Sequence, residues 1–231
     1  VRGSTIINTA TVSSSTNDPV ATNNSGVAAT RVTDFGVSLS TSPLDPTKTD
    51  LIIGGRATSA DAIYLYKSGT GVFVIANGRL YGLYNPNGRI VMYGRGGNDV
   101  LYVASTITTP AWLDGGDGND VMYGGAGNEV LIGGAGTDVL WGMKGRNLLI
   151  GGVGTDTLYG STGENIMIGG TTAHDANDVA LNAIMKEWTR TDLAQNRRIY
   201  HLRGDYASIY GTGLNAPYYL NTSSVFDDAR S

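Results

Sequence analysis

The chain has 231 residues, with 34 glycines, 6 prolines, no cysteine, 16% charged residues and a formal net charge of −4. That length allows one or two domains, and glycine without matching proline excludes collagen. The charge balance leaves no footprint for nucleic acid, disulfides and thiol nucleophiles are ruled out, and no apolar run of about 18 residues offers a membrane span. Abundant Ser, Thr and Asn with few charges suit an extracellular protein. The chain opens on Val1 without a signal peptide, so a mature product or a piece of a longer polypeptide is expected.

Residues 1–32 are rich in Thr, Ser and Asn. The stretch INTATVSSSTNDPVATNNSGVAATRV resembles the last two strands of Ig-like repeat domains in bacterial surface proteins, which share its N-T-A-T-V, D-P and N-N pattern. A whole domain of that kind needs roughly seven strands, so these two form a remnant or an assembly arm that pairs elsewhere. Residues 33–49, with Pro43 and Pro46, read as a linker. Residues 50–93 hold short β-rich runs, DAIYLYK, GVFVIANG and GRIVMYG, bounded by Gly and Asn. They predict a strand-rich leader that supplies the first coils and a hairpin.

From Gly115 six nonapeptides follow in tandem: GGDGNDVMY, GGAGNEVLI, GGAGTDVLW, GMKGRNLLI, GGVGTDTLY and GSTGENIMI; a seventh, GRGGNDVLY, sits at 94–102. Positions 1 and 4 are always Gly. Position 8 is always Leu or Met: Leu101, Met122, Leu131, Leu140, Leu149, Leu158 and Met167. Six residues dominated by glycine make a tight turn, and the last three make a short strand whose middle residue points inward. Two nonapeptides form one coil of about eighteen residues, and coils stack about 4.8 Å apart. A single repeat buries almost nothing, so stability comes from stacking.

This pattern resembles the RTX β-roll, with its calcium-binding repeat G-G-x-G-x-D-x-U-x. The resemblance covers 94–102 and 115–168. It implies calcium between stacked turns, held by position-6 carboxylates and turn carbonyls, as suits a hard cation taking oxygen ligands. Alternate repeats lie on opposite edges of the roll. One edge carries Asp120, Asp138 and Asp156, and Asp99 joins it across a three-residue insertion within Val103–Asp114; the other carries Glu129, Asn147 and Asn165, with Lys144 and Arg146 in one turn. Asp99, Asp120, Asp138 and Asp156 are therefore the expected metal ligands, with little or no ion on the opposite edge. Without metal, neighbouring carboxylates at coil spacing would repel by roughly 3 kcal/mol per pair at an effective dielectric of about 20. The alternative for these aspartates is hydrogen bonding to turn amides.

Two further patterns follow from the repeat. Position 9 of the Asp-bearing repeats gives Tyr102, Tyr123, Trp141 and Tyr159, an aromatic ladder that is either cross-strand packing or a platform for glycan or a neighbouring subunit. Positions 7 and 9 of the other repeats give Val130, Ile132, Leu148, Ile150, Ile166 and Ile168. Such a patch is too large to stay exposed, so either the C-terminal helices or a neighbouring chain covers it.

Residues 174–231 form a C-terminal helical cap and tail. Leu181, Ile184, Met185 and Trp188 share one helical face, with Asp175 or Asn177 as cap; a second helix takes in Leu193, Ile199 and Leu202. Ile168–Thr189 and Tyr219–Asp228 resemble an extension that follows β-rolls in this surface family, where a further glycine-rich repeat tends to follow. The chain stops at Ser231, so a fragment or processed end is expected.

No H-E-x-x-H, G-x-S-x-G or P-loop occurs, and the glycine runs recur every nine residues, unlike a single dinucleotide loop. His174 is expected to make a hydrogen bond at the helix start. The expected fold is mainly β, a parallel β-roll or β-solenoid over 94–173 with a strand-rich leader and a small helical segment. The expected function is a non-enzymatic, calcium-stabilised structural or interaction module of a secreted or cell-surface bacterial protein: adhesin, surface layer or fibre subunit. Self-association through residues 1–32 or the aliphatic sheet face is a further expectation. The competing reading is the accessory roll of a secreted enzyme or toxin, aiding export and folding.

Overall fold

The computed structural model describes residues 5–11, 25–31, 35–160, 162–205 and 213–226. Parts of the expected N-terminal arm (1–4, 12–24 and 32), of the linker (33–34), of the roll (161) and of the tail (206–212 and 227–231) lie outside the described residues. Within the arm, β1 (Thr5–Thr11) pairs antiparallel with β2 (Ser25–Arg31), Thr5 opposite Arg31 and Thr11 opposite Ser25.

Repeated turn-then-strand chemistry produces two parallel sheets, filled alternately as the chain winds. The first sheet takes β4 (Thr49–Gly54), β8 (Ile90–Gly96), β10 (Ala111–Asp117), β12 (Val130–Gly136), β14 (Leu148–Gly154) and β16 (Ile166–Ile168). The second takes β5 (Ala62–Ser68), β9 (Val100–Val103), β11 (Val121–Tyr123), β13 (Val139–Trp141) and β15 (Thr157–Tyr159). Register follows the nonapeptide: Leu131 lies beside Leu149, and Met122 beside Leu140. The insertion is absorbed within one coil, leaving Val100 beside Val121. This is the expected parallel solenoid.

Antiparallel strands finish its N-terminal end. β3 (Gly36–Thr41), within the stretch read as a linker, pairs with β4, while β6 (Gly71–Ala76) and β7 (Arg79–Tyr84) extend the second sheet from β5. Phe35, Val37, Tyr81 and Tyr84 pack against the core at that end. The position-8 side chains point inward as expected: Leu101, Met122, Leu131, Leu140 and Leu149 are fully buried, in one cluster with Leu51, Ile53, Ile63 and Met92.

The outer face of the first sheet is covered by the chain itself. Val130, Ile132, Leu148 and Ile150 are buried against Leu181, Ile184, Met185 and Trp188 of α1 (Asp178–Trp188) and Leu202 of α2 (Gln195–Arg203), with Ile166 and Ile168 at the margin. Burial of this kind is worth about 1.5–3 kcal/mol per large aliphatic side chain. The aliphatic face is thus not available to a neighbouring chain, which corrects that part of the self-association expectation.

Asn177 caps α1 by accepting from Ala180 N at 3.1 Å. Leu193 lies before α2 rather than within it. The His174 carbonyl accepts at the helix start from Asn177 N at 2.8 Å, while its ring Nε2 meets the Tyr219 carbonyl oxygen at 3.0 Å, a contact across the cap. The two helices are tied by buried Glu187, whose Oε1 meets His201 Nδ1 at 2.7 Å and whose Oε2 accepts from Leu214 N at 2.8 Å. β17 (Thr171–Thr172) pairs antiparallel with β18 (Val225–Phe226) and closes the cap. Among the described residues no helix is long and apolar enough to cross a membrane.

Candidate metal centre: the aspartate ladder

Stacking in register sets each position-6 carboxylate against the main chain of the coil before it. Asp138 N donates to Asp156 Oδ1 at 2.9 Å, Asp120 N to Asp138 Oδ1 at 2.8 Å, Asp99 N to Asp120 Oδ1 at 2.7 Å and Asp61 N to Asp99 Oδ1 at 2.6 Å. The four expected residues therefore stand in one column. One oxygen of each does what the alternative reading of hydrogen bonding to turn amides requires.

The second oxygen is another matter. Oδ2 of Asp99, Asp120 and Asp138 is buried with no hydrogen-bond donor. It faces the place where a Cβ on the position-1 glycine of its own repeat would stand, beside a main-chain carbonyl of the next coil. At Gly133 that Cβ would lie within 2.5 Å of Asp138 Oδ2 and closer still to the Gly151 carbonyl oxygen; at Gly115 it would meet Asp120 Oδ2 and, at 2.6 Å, Gly133 O. Gly94 with Asp99 and Gly115 O, and Gly151 with Asp156 and Gly169 O, repeat the arrangement. Glycine is needed at position 1 because the space belongs to oxygens. Elsewhere in the turn the need is conformational: Gly134 and Gly136 hold φ of 111° and 142°, which side chains resist.

Acceptors facing acceptors need either a proton or a cation between them. Burial pushes Asp99 up to about 7, with the Asp120 and Asp61 charges adding to it and the Asp61 N–H working against it. Burial likewise raises Asp120 to about 7, with Asp138 adding, and Asp138 to about 6, with Asp156 adding. Among the described residues no point gathers three acidic or histidine side chains. Each cradle instead joins one carboxylate oxygen to backbone carbonyls, a donor set that suits a hard cation accepting main-chain oxygen.

At Asn147 and Asn165 the opposite edge solves the same stacking problem with amides. Asn147 Oδ1 accepts from Glu129 N at 2.8 Å, while its Nδ2 donates to the Gly142 and Lys144 carbonyls at 2.8 and 3.1 Å. Asn165 repeats the pattern toward Asn147 N and Gly163 O. The NH₂ group supplies internally the positive end that the aspartate edge lacks. Glu129 is fully buried, with Oε1 accepting from Gly127 N at 2.8 Å and Oε2 buried without a donor, and burial pushes it up to about 8; here the opposite edge has a single carboxylate, not a column. Arg146 extends from its turn to the end of α1, donating to the Thr189 and Arg190 carbonyls at 3.2 and 2.9 Å and pairing with Glu164 at 2.9 Å. Arg198 converges on the same place, bonding Trp188 O, Arg190 O and Glu164 Oε2. Cations at a helix C-terminus complement its dipole.

Sequence reasoning missed the first rung. Asp61 heads the column, and its carboxylate is already satisfied: Oδ1 by Arg56 Nε at 2.8 Å and Asn77 Nδ2 at 2.6 Å, Oδ2 by Arg56 N at 2.5 Å. Arg95, at a position where other repeats carry glycine, holds φ at 78° and donates to the Gly55 carbonyl at 2.9 Å. At this rung the cradle-facing oxygen, Oδ2, is thus held by a main-chain amide, with the Arg56 guanidinium on the other oxygen. The only sequence signal was GGRATSAD, an imperfect turn ending in Asp61.

The expected aromatic ladder also forms. Tyr102, Tyr123, Trp141 and Tyr159 follow one another at centroid distances of 5.9, 6.2 and 3.8 Å, and Tyr64 and Tyr66 extend it beyond Tyr102. Trp141 and Tyr159 lie nearly parallel, 15° apart. Their faces are turned toward each other along the stack, which is the geometry of cross-strand packing.

Residues 91–105, 112–140 and 141–171 match the family model of the RTX calcium-binding nonapeptide repeat, in four copies. No curated protein and no solved structure matches the chain. The repeat match and the parallel solenoid together support an RTX β-roll over the matched stretch, and calcium is the ion that such repeats bind.

Proposed function

We propose that Asp99, Asp120, Asp138 and Asp156 hold calcium between consecutive turns, together with main-chain oxygens of Gly115, Gly133, Gly151 and Gly169, and that the opposite edge holds none. The observation that carries this reading is the column of buried Oδ2 atoms at Asp99, Asp120 and Asp138, each set toward a carbonyl with no donor between them. When bound, calcium supplies the charge that lets these carboxylates ionise and bridges one coil to the next. The chain's own part is to hold one oxygen of each aspartate with an amide and keep side chains out of the cradle.

On this reading the protein is a non-enzymatic structural and interaction module of a secreted or cell-surface bacterial protein, of the adhesin, surface-layer or fibre type. Support comes from the way the ladder carboxylates are accounted for by turn stacking, and from the surface-type flanks at both ends of the roll. The test is a calcium anomalous-difference map of the crystallised protein, with calorimetric stoichiometry beside it. Peaks confined to the aspartate edge, with oxygen contacts of about 2.3–2.6 Å, are expected. Equal peaks on both edges, or none, would overturn the assignment.

A further inference from the structure

The two sheets of the solenoid each contain seven strands, but they are not level. In chain order along the axis the first sheet runs β3, β4, β8, β10, β12, β14, β16 and the second β7, β6, β5, β9, β11, β13, β15. β4 and β5 belong to the same coil, as do β14 and β15. At the N-terminal end the second sheet therefore projects one strand further, through β7. At the C-terminal end the first sheet projects one strand further, through β16. A projecting strand on one sheet at one end meets a recess on that same sheet at the other end.

We infer that a second copy of this chain docks head to tail on this step, β16 of one copy beside β3 of the next and β15 beside β7. Equal strand numbers in the two sheets are the condition for both junctions to close at once, and the offset makes the joint overlap. The side chains at the two ends match sheet by sheet. On the first sheet, Met167 of β16 occupies an inward position-8 site yet is 53% exposed, where its counterparts on earlier coils are fully buried. Leu39 of β3 lies opposite buried Leu51 and is 45% exposed at the other end of that sheet. On the second sheet, Tyr159 ends the aromatic row, and Leu80 and Leu83 of β7 stand exposed at the far end, on the face shared with Tyr64 and Tyr66 through Ile75 and Phe73. Joined copies would bury Met167 with Leu39 and continue the aromatic row onto Leu80 and Leu83.

Charge does not oppose the contact. Lys67 and Arg79 are exposed at the N-terminal end, while Glu164 at the C-terminal end is already paired with Arg146 and Arg198. A contact between different patches that repeats by translation gives an open filament rather than a closed dimer. Its axial repeat is seven strand spacings, about 34 Å.

The test separates this contact from any symmetric dimer and from the ion assignment, since it is run at saturating calcium. One variant blocks the N-terminal end (Leu80→Lys with Leu83→Lys) and another the C-terminal end (Met167→Lys, with Tyr159→Lys as an independent second block). Circular dichroism checks that each keeps the parent fold. Analytical ultracentrifugation of the full chain should show concentration-dependent chains, and electron microscopy a rise of about 34 Å. Each blocked variant alone should be monomeric, and the two mixed should give a 1:1 dimer and nothing larger. A parent chain that stays monomeric at several hundred micromolar, a blocked variant that still self-associates, or a mixture that stays monomeric would each overturn the inference.

Discussion

Gly133→Ala is the most direct test of the cradle. The added methyl would stand within 2.5 Å of Asp138 Oδ2 and nearer still to Gly151 O. Ordinary contact begins near 3.4 Å, so a main-chain carbonyl fixed by the next coil must move by about an ångström. Overpacking of this kind costs about 1–3 kcal/mol, and the ion held between those two oxygens is lost as well. At about 2–4 °C per kcal/mol for a chain of this size, the packing cost alone lowers Tm by roughly 2–12 °C. Gly169→Ala is the control: it shares position 1 of the pattern, but nothing lies within 4 Å of its Cβ. It should stay within about 0.5 kcal/mol of the parent. Calorimetric titration with calcium, paired with thermal melts with and without chelator, reads both quantities. Gly133→Ala should bind one calcium fewer and Gly169→Ala the same number as the parent. Full calcium stoichiometry in Gly133→Ala would refute the placement of the ion.

Asp138→Asn should lose an ion yet stabilise the chelated protein, because an amide can donate to the turn carbonyls as Asn147 does; from the rise of Asp138 to about 6 the gain at pH 8 is about 3 kcal/mol as an upper bound, and a chelated melt below the parent's would contradict it. In chelator, stability should fall as pH rises from about 4 to about 7. Asp99 and Asp120 hold their protons to about 7 when folded and release them near 4 when unfolded, so the folded state binds more protons across that window. Melts at pH 5 and 8 check the sign, and the calcium-saturated protein should not show this fall, since its ligands must be deprotonated. Arg198→Met should cost about 1–3 kcal/mol by taking the donor from the Trp188 carbonyl, Glu164 keeping Arg146, without changing calcium stoichiometry; loss of calcium together with stability would show that the two edges are not independent.

The nonapeptide made most of this architecture legible. Position 8 as core, the alternation of Asp with Glu and Asn at position 6, and the need to cover six aliphatics all follow from a strict period, which fixes where each side chain points. What the repeat could not show lies where the period breaks. Nothing local in Gly36–Thr41 reveals that it closes a sheet, because its partner β4 supplies the reason. Arg146 looked like a loss of ligand charge; its acceptors lie 43 and 44 residues away, beyond any local pattern. The His174 carbonyl serves the helix start as its place in sequence suggests, but its ring goes to Tyr219, 45 residues on. Asp61 escaped notice because its turn lacks the regular glycines, although the stacking that places it is the same.

The satisfied first rung gives the ladder a direction in time. The Arg56 N–H, the Arg56 guanidinium and the Asn77 amide are donors of the chain itself, so the turn at Asp61 closes without a metal ion. In a linear stack growth propagates from whatever unit is already formed. If calcium occupies the proposed sites, uptake should begin against a finished template at Gly94–Asp99 and proceed coil by coil toward Gly169. Release should then run backward, the last coil loosening first when the ion becomes scarce.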